Sequence, residues 1–506
     1  MATWLQAIVV LLLLSVALIA LHDVTQKKRT ILRNFPLIGR FRYLIESVGP
    51  ELRQYIVSRN DEERPFSRDQ RRWVYASAKK ENNYFGFGTD NDLDSPRDYL
   101  ILKHQTFTPP EPEKIDPLYP IPCAKVMGAA RGREHAFRPG SIFYISAMSY
   151  GSLSANAVEA LNRGIAQAGG LHNTGEGGIS RHHLHGGDLI MQLGTGYFGA
   201  RDADGNFSLP HLVESVERGP VKAIEIKLSQ GAKPGRGGVL PGVKVTADIA
   251  EARGVPIGRD CISPASHRQF RDVSEMLDFV EMIAEATGLP VGIKSAVGEE
   301  SFWIELADRM SREKRGVDFI TIDGGEGGTG AAPLVFADHV ALPFRRGFPR
   351  VYKIFAERGL QDSVVFAGSG RLGFPIESLF AFAMGCDLVG VAREAMLAIG
   401  CIQAQQCHTD RCPAGVATQN KWLMRGLDPL NKSARLANYI VTLRKEVLWL
   451  AQAAGVQHPS EITLDHFELL DGAFHGQSPR EVLGYAKGWG APSADSPLRS
   501  VVGTTR

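Results

Sequence analysis

The feature that most restricts the fold of this chain is an alternation, across 141–393, of short runs rich in Val, Ile, Leu and Phe with longer stretches of helical apolar spacing. The short runs fall at 141–146, 170–174, 189–192, 223–227, 290–294, 317–323, 364–369 and 388–393, with helical spacing at 155–167, 273–286 and 376–384 between them. Strands separated by helix-length crossovers build a parallel sheet, because antiparallel neighbours are joined by hairpins. Eight such units fit a closed (β/α)8 TIM barrel of the α/β class, whose usual length is about 250 residues. A doubly wound sheet is the alternative. It lacks its usual mark here, a G-x-G-x-x-G turn after an early strand with an acidic residue about 20 positions on.

In a barrel, polar and glycine residues gather at the C-terminal strand ends. This chain carries Ala147-Met148-Ser149-Tyr150-Gly151, Asn173-Thr174-Gly175-Glu176-Gly177-Gly178, Asp323-Gly324-Gly325-Glu326-Gly327-Gly328-Thr329-Gly330 and Gly368-Ser369-Gly370 there. The last two strands end in small residues, Gly368, Ser369, Gly370, Gly390 and Ala392, followed by Arg393. Their backbone N–H groups can close on a phosphate at the position where barrels hold one. Glycine needed only for tight turns explains either loop alone, but not both in these positions. A phosphate-bearing cofactor is expected.

Three of the six cysteines, Cys401, Cys407 and Cys412, stand at C-x5-C-x4-C and end in Cys-Pro. An odd number in a large enzyme-like chain speaks against disulfides and for metal ligation. Zinc asks for a fourth ligand, and His408, adjacent to Cys407, points elsewhere. An iron-sulfur cluster takes cysteine thiolates, and a three-iron cluster needs three of them. Zinc and three inert buried thiols remain the alternatives. Next to a cluster, FMN is the economical phosphate-bearing cofactor, since a flavin passes electrons singly. Cys123, Cys261 and Cys386 are isolated and read as structural.

Residues 4–21 are apolar except for Gln6 and Ser15, long enough to cross the hydrocarbon layer as a helix. A cleaved signal peptide is the rival, but no Lys or Arg precedes the run and no small-x-small site follows it. Lys27, Lys28, Arg29, Arg33, Arg40 and Arg42 come after it, which places the body of the chain on the cytoplasmic side of a single-pass anchor. The expected organisation is an anchor at 1–22, a basic membrane-proximal arm and proline-rich linker at 23–115, the barrel with its cysteine motif at 116–420, and a helical cover with a disordered tail at 421–506. A formal charge of +2 over 506 residues gives no footing for a nucleic-acid partner.

SAMSYGSLS (146–154), HNTGEGGIS (172–180), IEIKLSQGAKPGRGGVLPGVKV (224–245), CISPASH (261–267), DGGEGGTGAAP (323–333) and CIQAQQCHTDRCPAGVATQ (401–419) resemble, in the same order, the FMN-binding synthase domain of glutamate synthases. The chain is most similar to the stand-alone FMN-binding glutamate synthase family proteins. That resemblance implies a barrel that binds FMN and a [3Fe-4S] cluster, condenses 2-oxoglutarate with ammonia to 2-iminoglutarate, and reduces the imine to glutamate. By the same resemblance Cys401, Cys407 and Cys412 ligate the cluster. Gly368, Ser369, Gly370, Gly390, Ala392 and Arg393 hold the FMN phosphate, and Ala147, Met148 and Ser149 line the flavin. Lys294 lies near its ring, and Asn173, Gly324 and Gly325 complete the cofactor-binding set. The catalytic set is Lys233 facing the substrate, Arg253 pairing with a substrate carboxylate, and Glu176 beside the flavin. The chemistry agrees: reduction of an imine needs a cationic or acidic donor, and a carboxylate suits a guanidinium fork.

Two departures fall in the substrate loop. Where glutamate synthases have KPGEGGQLPG, this chain has Arg236 for the acid and Val239 for the glutamine. The resemblance extends to no glutaminase, pyridine-nucleotide or C-terminal β-helix domain. Nitrogen is therefore expected from free ammonia, a separate ammonia-supplying protein or an amine substrate, and electrons from a separate donor, a ferredoxin or an NAD(P)H-dependent reductase. Flavin-dependent amination or deamination of another oxo or amino acid is one alternative. A non-catalytic electron-transfer subunit is the other; Val239 favours it, and Lys233, Glu176 and Arg253 together oppose it.

Overall fold

The structure, a computed structural model, describes residues 2–26, 32, 34–52, 62–84, 86, 88–89, 91–93, 98–108, 116–471 and 475–493. The chain divides into two compact units, Met1–Arg71 and Arg72–Arg506. In the first, the helix Ala2–Thr25 contains the stretch Trp4–Thr25, long and apolar enough by length and composition to cross a membrane. A second helix, Gly39–Leu52, is tied to its end by Arg40 Nη2, which lies 2.6 Å from Asp23 Oδ1. Most of the linker around 109–113, the basic residues Lys27, Lys28, Arg29 and Arg33, and the tail beyond 493 lie outside the described residues.

The second unit is built on a closed barrel of eight parallel strands: β1 Phe143–Ile145, β2 Leu171–Asn173, β3 Asp188–Leu193, β4 Val221–Lys227, β5 Val291–Ser295, β6 Phe319–Asp323, β7 Val365–Ser369 and β8 Leu388–Val391. β8 pairs back onto β1 through Val389 opposite Phe143, which removes both sheet edges. All eight strands lie where the alternation placed them. The crossover after β2 differs, because Thr174 to Gly187 holds only a 3₁₀ turn, Arg181–His183, in place of a helix. The helix after β8, Arg393–Ala398, is a single short one. The 25-residue helix Pro429–Ala453 lies against it and against Ala155–Gln167. Gly164 makes that approach possible: a Cβ there would stand 2.6 Å from the Ser433 carbonyl oxygen.

The N-terminal end of the barrel is sealed with apolar side chains. Met127 and Phe137 pair as a short antiparallel bridge beneath it, and Cys123 and Met127 pack against Tyr144, Ile190, Ala223, Phe319 and Val365 of the strands. Burial pushes the Cys123 thiol up to about 12, and raises Cys386 as well, consistent with structural thiols. Higher in the barrel sits Glu225, fully buried, which accepts hydrogen bonds from Asn173 Nδ2 at 2.8 Å, Gln192 Nε2 at 2.6 Å and Thr321 Oγ1 at 2.6 Å. A buried carboxylate persists only when so satisfied. With one end closed by hydrocarbon, the polar strand ends open toward the other.

The body begins earlier than the division at 115 that composition suggests. Trp73 packs on Phe374 and Tyr439 with ring centroids 5.8 and 6.0 Å away and donates Nε1 to Glu446 at 3.0 Å. The strand Tyr99–Leu102 pairs antiparallel with Phe467–Leu470, which also pairs with Gly476–Gln477. The C-terminal cover is thus mixed: a long helix together with a small sheet completed by the arm.

Candidate active site

At the open end of the barrel, Glu176 follows β2 and meets Lys227, the last residue of β4, with Lys227 Nζ 2.9 Å from Glu176 Oε1. Only glycine fits around this carboxylate, since a Cβ on Gly194 would lie 2.4 Å from Oε2 and one on Gly238 would lie 2.5 Å from Oε1. Burial alone would raise the Glu176 pKa. The attraction of Lys227, Arg253 and Lys233 outweighs it and holds the carboxyl below its ordinary value.

Lys233 is buried in the loop after β4, 3% exposed, and donates Nζ to the Gly237 carbonyl at 2.9 Å. Burial lowers its pKa, repulsion from Lys227 and Arg236 lowers it further, and Glu176 opposes the shift. The loop is pinned to the end of β6, where the Gly231 amide donates to Asp323 Oδ2 at 2.8 Å. A Cβ on Gly231 would stand 1.8 Å from the Gly324 carbonyl oxygen.

Arg253 ends the helix Ala247–Arg253 and reaches back under the β1 loop. Its Nη2 donates to Ser149 Oγ at 3.2 Å and to the Tyr150 carbonyl at 3.0 Å, and the guanidinium lies over the Phe198 ring. Its Nε is buried without a hydrogen-bond partner. The structure therefore brings Glu176, Lys233 and Arg253 into one electrostatic neighbourhood and adds Lys227, which sequence reasoning did not single out. The signal was present in Ile224-Glu225-Ile226-Lys227: charged residues two apart on a barrel strand share the inward face.

A second line of polar groups runs across β5, β6 and β7. Lys294 Nζ is 3.6 Å from Asp323 Oδ2, and Ser369 Oγ donates to Asp323 Oδ1. Asp323, also missed, is thus the hub for Lys294, Ser369 and the Gly231 amide. Asn173 orders the β2 end, accepting from the Gly175 amide at 3.0 Å while its Nδ2 reaches Glu225. Ala147 and Met148 are half-buried at the end of β1, and a Cβ on Gly175 would clash with the Ser149 amide at 2.6 Å.

Several expected cofactor glycines have packing reasons of their own. A Cβ on Gly368 would meet the Phe344 ring at 2.6 Å, and one on Gly390 would meet the end of Tyr144 at 2.8 Å. Gly324 accommodates Glu326 and Phe344, and Gly325 approaches the Ala341 carbonyl. Gly370 is different, with φ of 135°, a conformation reserved for glycine. Beside these ends, Ala392 and Arg393 are half-buried, and Arg393 Nη2 donates to the Glu326 carbonyl.

The cysteine loop is held by its backbone. Tyr75 Oη donates to the Cys401 carbonyl at 2.8 Å, and Lys244 Nζ donates to the Cys407 carbonyl at 2.9 Å. Gln419 Nε2 fastens the following segment to the Leu153 carbonyl of the β1 loop at 2.9 Å. Gln403, Gln405 and Asp410 take positive φ, and the Gln403 amide lies 3.4 Å from Cys401 Sγ. None of Cys401, Cys407 and Cys412 is in a disulfide. Burial raises Cys407, the nearby Cys412 adds to this, and Lys244 opposes it. Among the described residues the three sulfurs are not gathered within 4.8 Å of one another, the spacing of ligands on a single ion. Cys401, Cys407 and Cys412 are the residues that would hold an iron-sulfur cluster.

Residues 125–457 match the model of the conserved region in glutamate synthase. The glutamate synthase large subunit-like protein YerD of Bacillus subtilis (strain 168) is 38% identical over 481 residues, 89% of this chain and 91% of that protein. The archaeal glutamate synthase [NADPH] of Methanocaldococcus jannaschii is 36% identical over 343 residues, 67% of this chain and 64% of that protein. Among solved structures, a flavocytochrome b2 mutant superimposes with a TM-score of 0.44 at 14% identity, over 94% of this chain and 97% of that one.

Proposed function

Since the chain belongs to the glutamate synthase family, we propose that it is an FMN and iron-sulfur dependent oxidoreductase that reductively aminates 2-oxoglutarate, through 2-iminoglutarate, to glutamate. Ammonia is the nitrogen source and a separate donor, a ferredoxin or an NAD(P)H-dependent reductase, supplies electrons. The observation that carries this reading is the cationic group at the barrel mouth. Arg253, 4% exposed, keeps an unpartnered Nε beside a carboxylate already matched by Lys227, with Lys233 near it. A buried guanidinium with an unused donor and a second unmatched cation is an arrangement that favours an anionic substrate.

The residues present fit both cofactors. For FMN, the donor set is a turned Gly370, the small ends of β7 and β8, and Arg393 for the phosphate, with Lys294 fixed by Asp323 where a cation can face the ring. For the cluster, it is Cys401, Cys407 and Cys412, none in a disulfide, on a loop tethered through the Cys401 and Cys407 carbonyls. When bound, FMN supplies the hydride and accepts electrons one at a time from the cluster. The protein's own part follows from its charges. Arg253 meets a carboxylate of the oxo acid through Nε, its one unpartnered donor, while Cys261, Ser149 and Tyr150 hold its two terminal nitrogens in place. Lys233, its pKa depressed by burial and by Lys227, donates a proton to the nitrogen as the imine carbon gains its hydrogen, so that C=N plus hydride plus proton gives the amine. Glu176, held anionic, keeps Lys233 protonated by attraction. Anchoring of the body to the cytoplasmic face of a membrane through Trp4–Thr25 belongs to the same proposal.

A second substrate reading has one observation in its favour. Val239 and Ile262 stand opposite each other in a two-stranded ribbon, 44% and 67% exposed, an apolar pair where a glutamine would have offered a hydrogen bond. That pair suits an oxo acid with a less polar side chain. Steady-state turnover with a low-potential reductant, ammonia and a panel of oxo acids decides between them. Glutamate as the fastest-formed product supports the first reading, a branched-chain amino acid supports the second, and no amino acid from any oxo acid overturns both.

A further inference from the structure

The β2–β3 connection carries Arg181-His182-His183-Leu184-His185, which the proposed reaction does not use. His183 turns inward: its Nδ1 accepts from the Ser180 amide at 3.1 Å and its ring faces His172, so it is part of the packing. His182 and His185 instead converge on Glu159 of the helix Ala155–Gln167. One ligand atom from each of the three lies within 4.8 Å of the others, and His185 Nε2 is 3.6 Å from Glu159 Oε2. Two ligands on one tetrahedral ion with bonds of about 2.0–2.1 Å are about 3.3 Å apart, so this pair is nearly at ligand spacing.

Each donor is held from outside the group. Asn162, three residues beyond Glu159 on the same helix, accepts from the His185 amide at 2.9 Å and the Gly187 amide at 3.2 Å. The His182 ring rests against Tyr150 at 4.9 Å between centroids. Arg163 Nε donates to Glu159 Oε1 at 2.8 Å, which orients the carboxylate and leaves Oε2 toward the imidazoles. Arg181 Nη2 is bound to Asp248 Oδ2 at 2.6 Å, while its Nε lies 3.5 Å from His182 Nε2, a long contact that an ion would displace. The side chains of Glu159 and His185 are 23% and 24% exposed, which leaves an ion a way in and a fourth position for water. A simple Glu159–His185 ion pair accounts for two of these residues but not for the convergence of His182.

We infer that Glu159, His182 and His185 bind a divalent ion of the zinc class at the rim of the barrel, apart from the cysteine loop. Two imidazoles and one carboxylate with an open position suit zinc or cobalt and not calcium or magnesium, which take oxygen ligands. The ion ties the β2 loop to the first barrel helix. The test uses the purified full chain with its flavin and iron in place, stripped of loosely bound metal with a mild chelator. Zinc titrated by calorimetry is expected to bind one more ion per chain in the wild type than in Glu159→Gln or His185→Gln, with flavin and iron contents equal in all three. Cobalt added to the wild type is expected to give ligand-field bands without thiolate-to-cobalt charge transfer. Equal zinc stoichiometry in wild type and both variants overturns the inference. A wild-type cobalt spectrum dominated by thiolate charge transfer also overturns it, by placing the ion on the cysteines, and this second measurement decides the matter even where a variant fails to fold.

Discussion

Replacing Lys233 with alanine removes the group proposed to deliver the proton. The ammonium has three donors and, among the described residues, one hydrogen bond, to the Gly237 carbonyl at 2.9 Å, so two remain for substrate. Loss of one hydrogen bond from a charged donor costs about 1.5–3 kcal/mol, roughly 10- to 150-fold, and loss of general-acid assistance typically costs about 100-fold or more. Turnover in Lys233→Ala is therefore expected to fall by about 100-fold or more. The fold is expected to tolerate the change, since the variant also removes the repulsion between Lys233 and both Lys227 and Arg236. Flavin and iron contents per chain should match the wild type. The pH profile adds a control with a definite sign. Lys233 must be protonated to act, and its pKa lies below the ordinary lysine range, so wild-type turnover falls as pH rises through that lowered value. Glu176→Gln removes a carboxylate that supports the charged form, so the falling limb moves to lower pH. Wild-type turnover in Lys233→Ala, or a limb that stays in place in Glu176→Gln, refutes the assignment.

Val239→Gln is expected to raise 2-oxoglutarate turnover relative to less polar oxo acids by a modest factor, about tenfold at most for one neutral hydrogen bond. An unchanged ratio of kcat/KM between 2-oxoglutarate and a branched-chain oxo acid counts against a role for that position. Gly231→Ala places a Cβ 1.8 Å from the Gly324 carbonyl and should separate the two loops. A loss of about 1–3 kcal/mol in denaturant unfolding, with activity impaired, is the expected result. Asp323→Asn weakens the hold on Lys294 and the Gly231 amide together, so flavin retention on gel filtration should drop while the cysteine-bound iron stays; retention equal to wild type contradicts the hub role. Full-length protein should stay with membranes in high salt and be released by deleting residues 1–25, because the helix Trp4–Thr25 holds by apolar burial and not by charge.

The eight strands were readable because a parallel barrel buries each strand on both faces, leaving near-continuous apolar runs bounded by glycine. The missing helix after β2 has a cause that can be seen afterwards: Thr174 to Gly187 includes Gly175, Gly177, Gly178, Gly186 and Gly187, too many for a helix, and all but Gly186 ease a close approach. Glu176, Lys233 and Arg253 entered through a resemblance. Their convergence depends on Lys227, whose two-residue spacing from Glu225 was in the sequence, and the register of β4 places it at the strand end. The pairing of Tyr99–Leu102 with Phe467–Leu470 was not legible, since nothing in either four-residue strand names a partner so distant in sequence. The packing duties of Gly368 and Gly390 were hidden for a similar reason: the rings of Phe344 and Tyr144 that need the space come from other elements.

The central claim is that one chain couples a flavin to an oxo acid and ammonia. The most direct measurement is stopped-flow reoxidation of the anaerobically reduced, full-length protein mixed with 2-oxoglutarate and ammonium, with glutamate quantified in the quenched mixture. Rapid flavin reoxidation that requires both reactants and yields about one glutamate per reduced flavin is the predicted result. Reoxidation no faster than with buffer alone, in protein that contains its full complement of FMN and iron, contradicts the account.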